Sequence, residues 1–215
     1  MPLDHSQIAP LMCLTQDGTG VAHGAQAERL CSAGARWIQL RMKGAAEDEL
    51  RRQVDAAAEA CRRHGAVLIV NDHVEVAIEH GADGVHLGAS DRPWEEARLV
   101  LGPEQILGGT VNGDDVAERA GLILDYAGVG PFRFTPTKEK LAPVLGIAGV
   151  QRLAGLLGPL PCWAIGGVTA QDLPALRAAG VRGVAVSSAL HEGGRLERNF
   201  EALMAAWEAA EARAG

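Results

Sequence analysis

This 215-residue chain holds three lysines, and two of them, Lys138 and Lys140, fall in the stretch 128–146, GVGPFRFTPTKEKLAPVLG, which is dense in glycine, proline and hydroxyl residues. The third, Lys43, closes a short polar cluster, Gln39-Leu40-Arg41-Met42-Lys43. A chain that meets nearly all its surface cation needs with arginine, yet keeps lysine at these places, uses the ammoniums for something local. A compact ammonium on a flexible stem suits phosphate oxygens. Other polar residues also directly follow short apolar runs: Gln16-Asp17, Asn71-Asp72, Gly88 to Asp91, Thr110 and Asn112, Gly166-Gly167, and Ser187-Ser188. As a set they are cationic, carboxylate-bearing and glycine-rich, the composition of a metal-assisted phosphate or pyrophosphate site.

The elements that must position these residues are legible as alternation. Strand-like apolar runs are expected at 12–15, 37–40, 67–70, 84–87, 106–109, 126–129, 162–165 and 183–186. Alanine-rich, charged, amphipathic stretches such as 46–63 and 198–212 lie between or after them. Short apolar strands alternating with helices imply parallel pairing buried on both faces, and eight such units close a single α/β domain, a (β/α)8 TIM barrel over 1–215. Before several strands the chain repeats one device, Ala33-Gly34-Ala35, His80-Gly81-Ala82 and Ala179-Gly180-Val181, in which glycine suits the left-handed cap of a helix C-terminus. These caps mark the bottom of the barrel. The polar residues after each strand then line the top, where active sites of this fold sit.

Each element also has a plainer reading. Asp72 precedes VEVAIEHG and Asp91 precedes Pro93, so either carboxylate suits a helix cap as well as a metal. Together they say more, because neighbouring parallel strands lie about 4.8 Å apart and two carboxylates at adjacent strand tops can share one hard cation. Magnesium takes such sites, with waters and substrate phosphates completing its shell. Ile165-Gly166-Gly167-Val168-Thr169 reads as a tight turn or as a phosphate loop; barrels use the loops after strands seven and eight for phosphate, and Gly167 with Ser187 and Ser188 fits that use. Thr169 and Asp172 have capping-box spacing. His86, inside GVHLG, reads as a satisfied structural histidine pointing into the barrel. Phe132 and Phe134 suit either core or an aromatic wall, and Arg133 between them a solvated cation.

Composition narrows the partners. A net charge of −7 argues against general nucleic-acid or anionic-membrane binding, so an anionic ligand needs a local basic pocket. Cys13, Cys31, Cys61 and Cys162 are widely spaced with no CxxC pattern, and read as small buried hydrophobes in a reducing cytoplasm. No run approaches the roughly 18 apolar residues of a membrane helix, and the first residues lack the apolar core of a secretory signal.

The series QLRMK, VNDHVEVAIEHGADGVHLGASD, GVGPFRFTPTKEK, AIGGVT and GVAVSSAL, in this order and spacing, resembles the thiamine-phosphate synthase family from about Met12 to Leu190. AIGG or ADGVHLG alone would suit other phosphate-binding barrels. The resemblance implies an alkyl/aryl-type transferase that couples 4-amino-5-hydroxymethyl-2-methylpyrimidine diphosphate with a thiazole phosphate, its carboxylated form included, to give thiamine phosphate and diphosphate. It implies substrate contacts along the whole QLRMK segment, Leu40 and Met42 included. Gln39, Arg41, Lys43, Asn71 and Lys138 would hold the pyrimidine diphosphate, with Thr110 beside it and Asp72 and Asp91 on Mg2+. Thr135, Pro136, Thr137, Gly167, Ser187 and Ser188 would bind the thiazole phosphate. Arg41, Lys43 and Lys138 would stabilise the departing diphosphate on a dissociative path. The implied partners are these two small molecules, with no nucleic acid or membrane, and with a homo-oligomer left open.

Two positions depart from the family's common pattern. Ala89 stands where many relatives carry glutamine, and Asn112 where many carry histidine. Related thiazole tautomerases use that histidine as an acid-base group, which asparagine cannot replace, while the intact TPTK loop and the Asp72/Asp91 pair favour the synthase. A non-catalytic barrel that senses thiamine precursors is the reading from another class. Keeping both carboxylates and all three candidate cations weighs against it.

Overall fold

Parallel strands pair each with its successor, and the last returns to the first, in a computed structural model that describes residues 8–88, 91–134 and 143–212. The strands are β1 (Leu11–Leu14), β2 (Trp37–Leu40), β3 (Val67–Asn71), β4 (Gly84–Leu87), β5 (Ile106–Val111), β6 (Tyr126–Val129), β7 (Cys162–Ile165) and β8 (Gly183–Val186). The helices are α1 (His23–Ser32), α2 (Glu47–His64), α3 (Val74–Glu79), α4 (Trp94–Val100), α5 (Asp114–Ile123), α6 (Gly146–Leu157), α7 (Leu173–Ala178), α8 (Ser188–His191) and α9 (Leu196–Ala212). This is the (β/α)8 TIM barrel that the apolar alternation predicts. The main difference is at β5, which runs past Gly109 because Thr110 and Val111 stay in register with Gly128 and Val129 of β6.

The helices form as their sequences dictate. In α2, Leu50, Val54, Ala57, Ala58 and Cys61 are buried at helical spacing, Glu47, Asp48 and Glu49 occupy the first turn, and Arg62, Arg63 and His64 the last, each charge matching the helix dipole. The repeated glycines do end helices: Gly34, Gly81 and Gly180 have φ of 105°, 66° and 90°. All four cysteines are buried and free. Among the described residues no helix is long and apolar enough to cross a membrane.

Alternation along the strands makes two cores. Ile38, Leu40, Leu68, Val70, Val85 and Leu107 face the helices. Met12, Leu14, Trp37, Ile69, Ile106, Tyr126 and Trp163 fill the barrel interior. Trp37 stacks on Trp163 with centroids 5.5 Å apart, and Tyr126 meets both edge-on at 5.3 and 5.7 Å. Gly108 makes room for this layer, since a Cβ there would fall on the Tyr126 ring. The aromatic layer is the floor beneath the mouth.

Candidate active site at the barrel mouth

The C-terminal ends of the strands surround a cavity of about 190 Å³. Its lining includes Gln39, Arg41, Lys43, Asn71, Asp72, Asp91, Thr110, Gly167, Ser187 and Ser188. The period of two explains who faces it: Gln39, Arg41 and Lys43 alternate with Leu40 and Met42. Leu40 is fully buried in the barrel-to-helix core and Met42 packs against that core. Neither Leu40 nor Met42 is among the residues lining the mouth, so a substrate contact at either position would fall to its backbone. Thr135, Pro136, Thr137 and Lys138, with Lys140 and Ala89, lie outside the described residues.

The two carboxylates come from successive loops. Asp72 directly follows β3, its N–H still donating to the His86 carbonyl of β4 at 3.0 Å, and its φ of 69° turns the chain sharply. Among the described residues it is the one non-glycine with positive φ, a conformation that asparagine and aspartate tolerate best. The Asp91 carboxylate accepts the Gly88 N–H at 2.6 Å and adjoins the Asp72 carboxyl closely enough to perturb it. Neither is a cap: α3 and α4 begin without a side-chain cap bond, at His73 and Pro93. Burial, then the adjoining Asp91, pushes the Asp72 carboxyl up to about 7, while Arg41 and Lys43 pull it back. Burial likewise holds the Arg41 guanidinium below its ordinary value, against the pull of Asp72 and Asp17. Two carboxylates pressed together under two cations suit a divalent ion that takes its remaining ligands from water and phosphate. Among the described residues no group of three or more His, Cys, Asp or Glu could hold a metal.

Under the mouth runs a string of polar side chains that sequence reading did not assemble. Gln39 Nε2 donates to Met12 Sδ at 3.2 Å, and the Gln39 side chain lies beside the Tyr126 hydroxyl. That hydroxyl lies 3.0 Å from His86 Nδ1, and His86 Nε2 lies 3.0 Å from Thr110 Oγ1. His86 is thus engaged at both nitrogens, as its structural reading expects. The only advance signal for Tyr126 was that it is the chain's one tyrosine, set in a buried strand where its hydroxyl needs a partner.

Across the barrel the site changes character. Gly166 and Gly167 have φ of 98° and 67°, and a Cβ on Gly167 would lie 3.0 Å from the Phe134 carbonyl oxygen. The Thr169/Asp172 capping box forms as its spacing predicts. Arg133 is no free solvated cation: it donates to the Gly167 carbonyl at 2.9 Å and to both Asp172 oxygens at 2.7 and 3.0 Å, fixing this loop. Phe132 is buried, with the Arg133 guanidinium 4.9 Å from its ring centroid, whereas Phe134 is exposed. Ser187 donates to Gln16 Oε1 at 3.0 Å, tying the end of β8 to the loop after β1.

Comparison with known proteins agrees with this geometry. The family described as thiamine monophosphate synthase matches residues 11–190. A thiamine-phosphate synthase from Phocaeicola vulgatus is 44% identical over 162 residues, 73% of this chain and 78% of the relative. One from Bacteroides fragilis is 40% identical over 185 residues, 84% of this chain and 91% of the relative. Among solved structures, thiamine phosphate pyrophosphorylase from Pyrococcus furiosus superposes with a TM-score of 0.84 at 28% identity, covering 93% of this chain and 96% of that one. The chain belongs to the thiamine monophosphate synthase family.

Proposed function

We propose that this barrel mouth joins 4-amino-5-hydroxymethyl-2-methylpyrimidine diphosphate to a thiazole phosphate, releasing diphosphate and thiamine phosphate. The observation that carries the reading is that one cavity is lined by two differently built polar walls. Arg41, Lys43, Asn71, Asp72 and Asp91 stand at the ends of β2 to β4, and Gly167, Ser187 and Ser188 stand opposite at β7 and β8. The first wall carries formal charge of both signs and suits a magnesium-bound diphosphate; the second offers backbone N–H groups and hydroxyls and suits a phosphate monoester.

The reaction needs no protein nucleophile. The methylene C–O bond of the pyrimidine breaks, its electron pair leaving with the diphosphate, and the thiazole nitrogen supplies the pair of the new C–N bond. Asp72 and Asp91 would hold Mg2+, which when bound would supply charge stabilisation to the departing diphosphate oxygens. Arg41 and Lys43 face the same oxygens, and Lys138, by the family likeness, joins them. Charge grows there as the bond breaks, so preorganised cations stabilise the transition state more than the ground state. Gln39 and Thr110, held through Tyr126 and His86, orient the pyrimidine end, and the aromatic floor excludes water from the electron-poor carbon. Asn112 lines the mouth and offers no acid-base group, as expected for coupling rather than tautomerisation. Supplying the purified protein with magnesium and each substrate singly, then both, tests the proposal. Thiamine phosphate is expected only with both; tight thiamine phosphate binding without turnover would favour the sensor.

A further inference from the structure

We infer that His23, outside the cavity lining, is a positioning residue that sets both diphosphate-facing cations, Arg41 and Lys43, through their backbone amides. The inference rests on the assignment of Arg41 and Lys43 to the diphosphate wall. Both sit just past the end of β2, where strand pairing stops and Lys43 and Gly44 are exposed, so something else must fix this backbone. The Arg41 N–H donates to Thr15 Oγ1 at 3.0 Å and the Lys43 N–H to Asp17 Oδ2 at 3.3 Å. One imidazole joins those two acceptors: His23 Nδ1 lies 2.7 Å from Thr15 Oγ1, and His23 Nε2 3.1 Å from Asp17 Oδ1.

The proton count gives this ring a direction. An ionised Asp17 only accepts, so His23 Nε2 carries the hydrogen; in the neutral ring Nδ1 is then a bare lone pair. The Thr15 hydroxyl must donate to it, which leaves the Thr15 oxygen lone pairs to take the Arg41 N–H. Every donor is used once. The network is protected, with Thr15 1% and His23 5% exposed, whereas the Asp17 side chain is 46% exposed. Its base is also fixed. Gly24 N–H donates to Gln53 Oε1 at 2.8 Å, joining the start of α1 to α2. Gln26 holds the loop between β1 and α1 through Gln16 N–H and O, Thr19 Oγ1 and Val21 O, all within 3.0 Å. His23 therefore reaches Arg41 and Lys43 through Thr15 and Asp17.

Displacing catalytic groups by about 1 Å can cost on the order of 100-fold in rate. His23→Ala is expected to lower kcat by about 10- to 100-fold and raise KM for the pyrimidine diphosphate, while KM for the thiazole phosphate, held at β7 and β8, stays within about 2-fold. Thr15→Val should reproduce this split and Thr15→Ser should restore it; Thr15→Val also carries the test if His23→Ala does not fold. Steady-state kinetics with each substrate varied, beside melting temperature and circular dichroism, give the answer. A loss of active protein with both KM values unchanged, a rise in both together, or wild-type behaviour of Thr15→Val would overturn the inference. A wild type that makes no thiamine phosphate would overturn the functional reading beneath it instead.

Discussion

Asp72 and Asp91, from the loops after β3 and β4, adjoin one another at the barrel mouth, and Asp72 does so from a left-handed backbone. Strain held at a functional position predicts a trade between stability and activity. Asp72→Gly should relieve the φ of 69° and raise fold stability by about 1 kcal/mol, while magnesium-dependent turnover falls at least about 100-fold. Asp91→Ala should abolish turnover without that gain. Urea unfolding and turnover at limiting magnesium check both; normal turnover in either variant would remove the pair from the metal site.

Gly167→Ala tests the opposite wall. The φ of 67° alone makes any side chain strained, at about 1 kcal/mol, and the Cβ would crowd Phe134 and Arg133. A modest drop in melting temperature is therefore expected even without ligand. Beyond that, KM for the thiazole phosphate should rise while calorimetric binding of the pyrimidine diphosphate is unchanged. The reverse pattern would mean that the two walls are assigned the wrong way round.

All eight strands were legible, because parallel strands buried on both faces are short apolar runs and the glycine caps separate them from the helices. The lining of the mouth was legible where polar residues sit at or just past a strand end, as at Arg41, Asp72, Thr110 and Gly167. It was not legible where function depends on packing across the chain. His23 lies in a segment with no motif, and its meaning comes from Thr15, Asp17 and a loop about twenty residues away. Leu40 and Met42 pack on the helix side of the barrel wall, a placement that follows from strand alternation and not from the motif that contains them.

The barrel floor should resist small changes. Gly108→Ala would put a methyl on the Tyr126 ring and is expected to destabilise by about 3 kcal/mol. In a Tyr126→Leu background the same substitution should cost clearly less, giving a coupling energy in a double-mutant cycle by urea unfolding. Equal costs in both backgrounds would mean that the two positions do not compete for space.

Acid should loosen the join between α1 and α9. Arg29 Nη2 donates to Glu197 Oε2 at 2.8 Å, and this bond holds the Glu197 carboxyl down at about 2 from an ordinary 4.5. A depressed folded value contributes stability above the unfolded value, lost as pH falls through 4.5 toward 2. Both side chains are over a third exposed, so the effect is under about 1 kcal/mol. Glu197→Gln should melt slightly below wild type at neutral pH, and the two curves should converge in acid. A gap that widens in acid would contradict the assignment.

The central claim is a coupling of two substrates at one mouth, and phosphorus NMR of a single reaction holding pyrimidine diphosphate, thiazole phosphate, magnesium and the purified protein tests it most directly. Free diphosphate and thiamine phosphate should rise together, one for one, as both substrate signals fall. Diphosphate released without matching thiamine phosphate, or no change in either substrate, would contradict it.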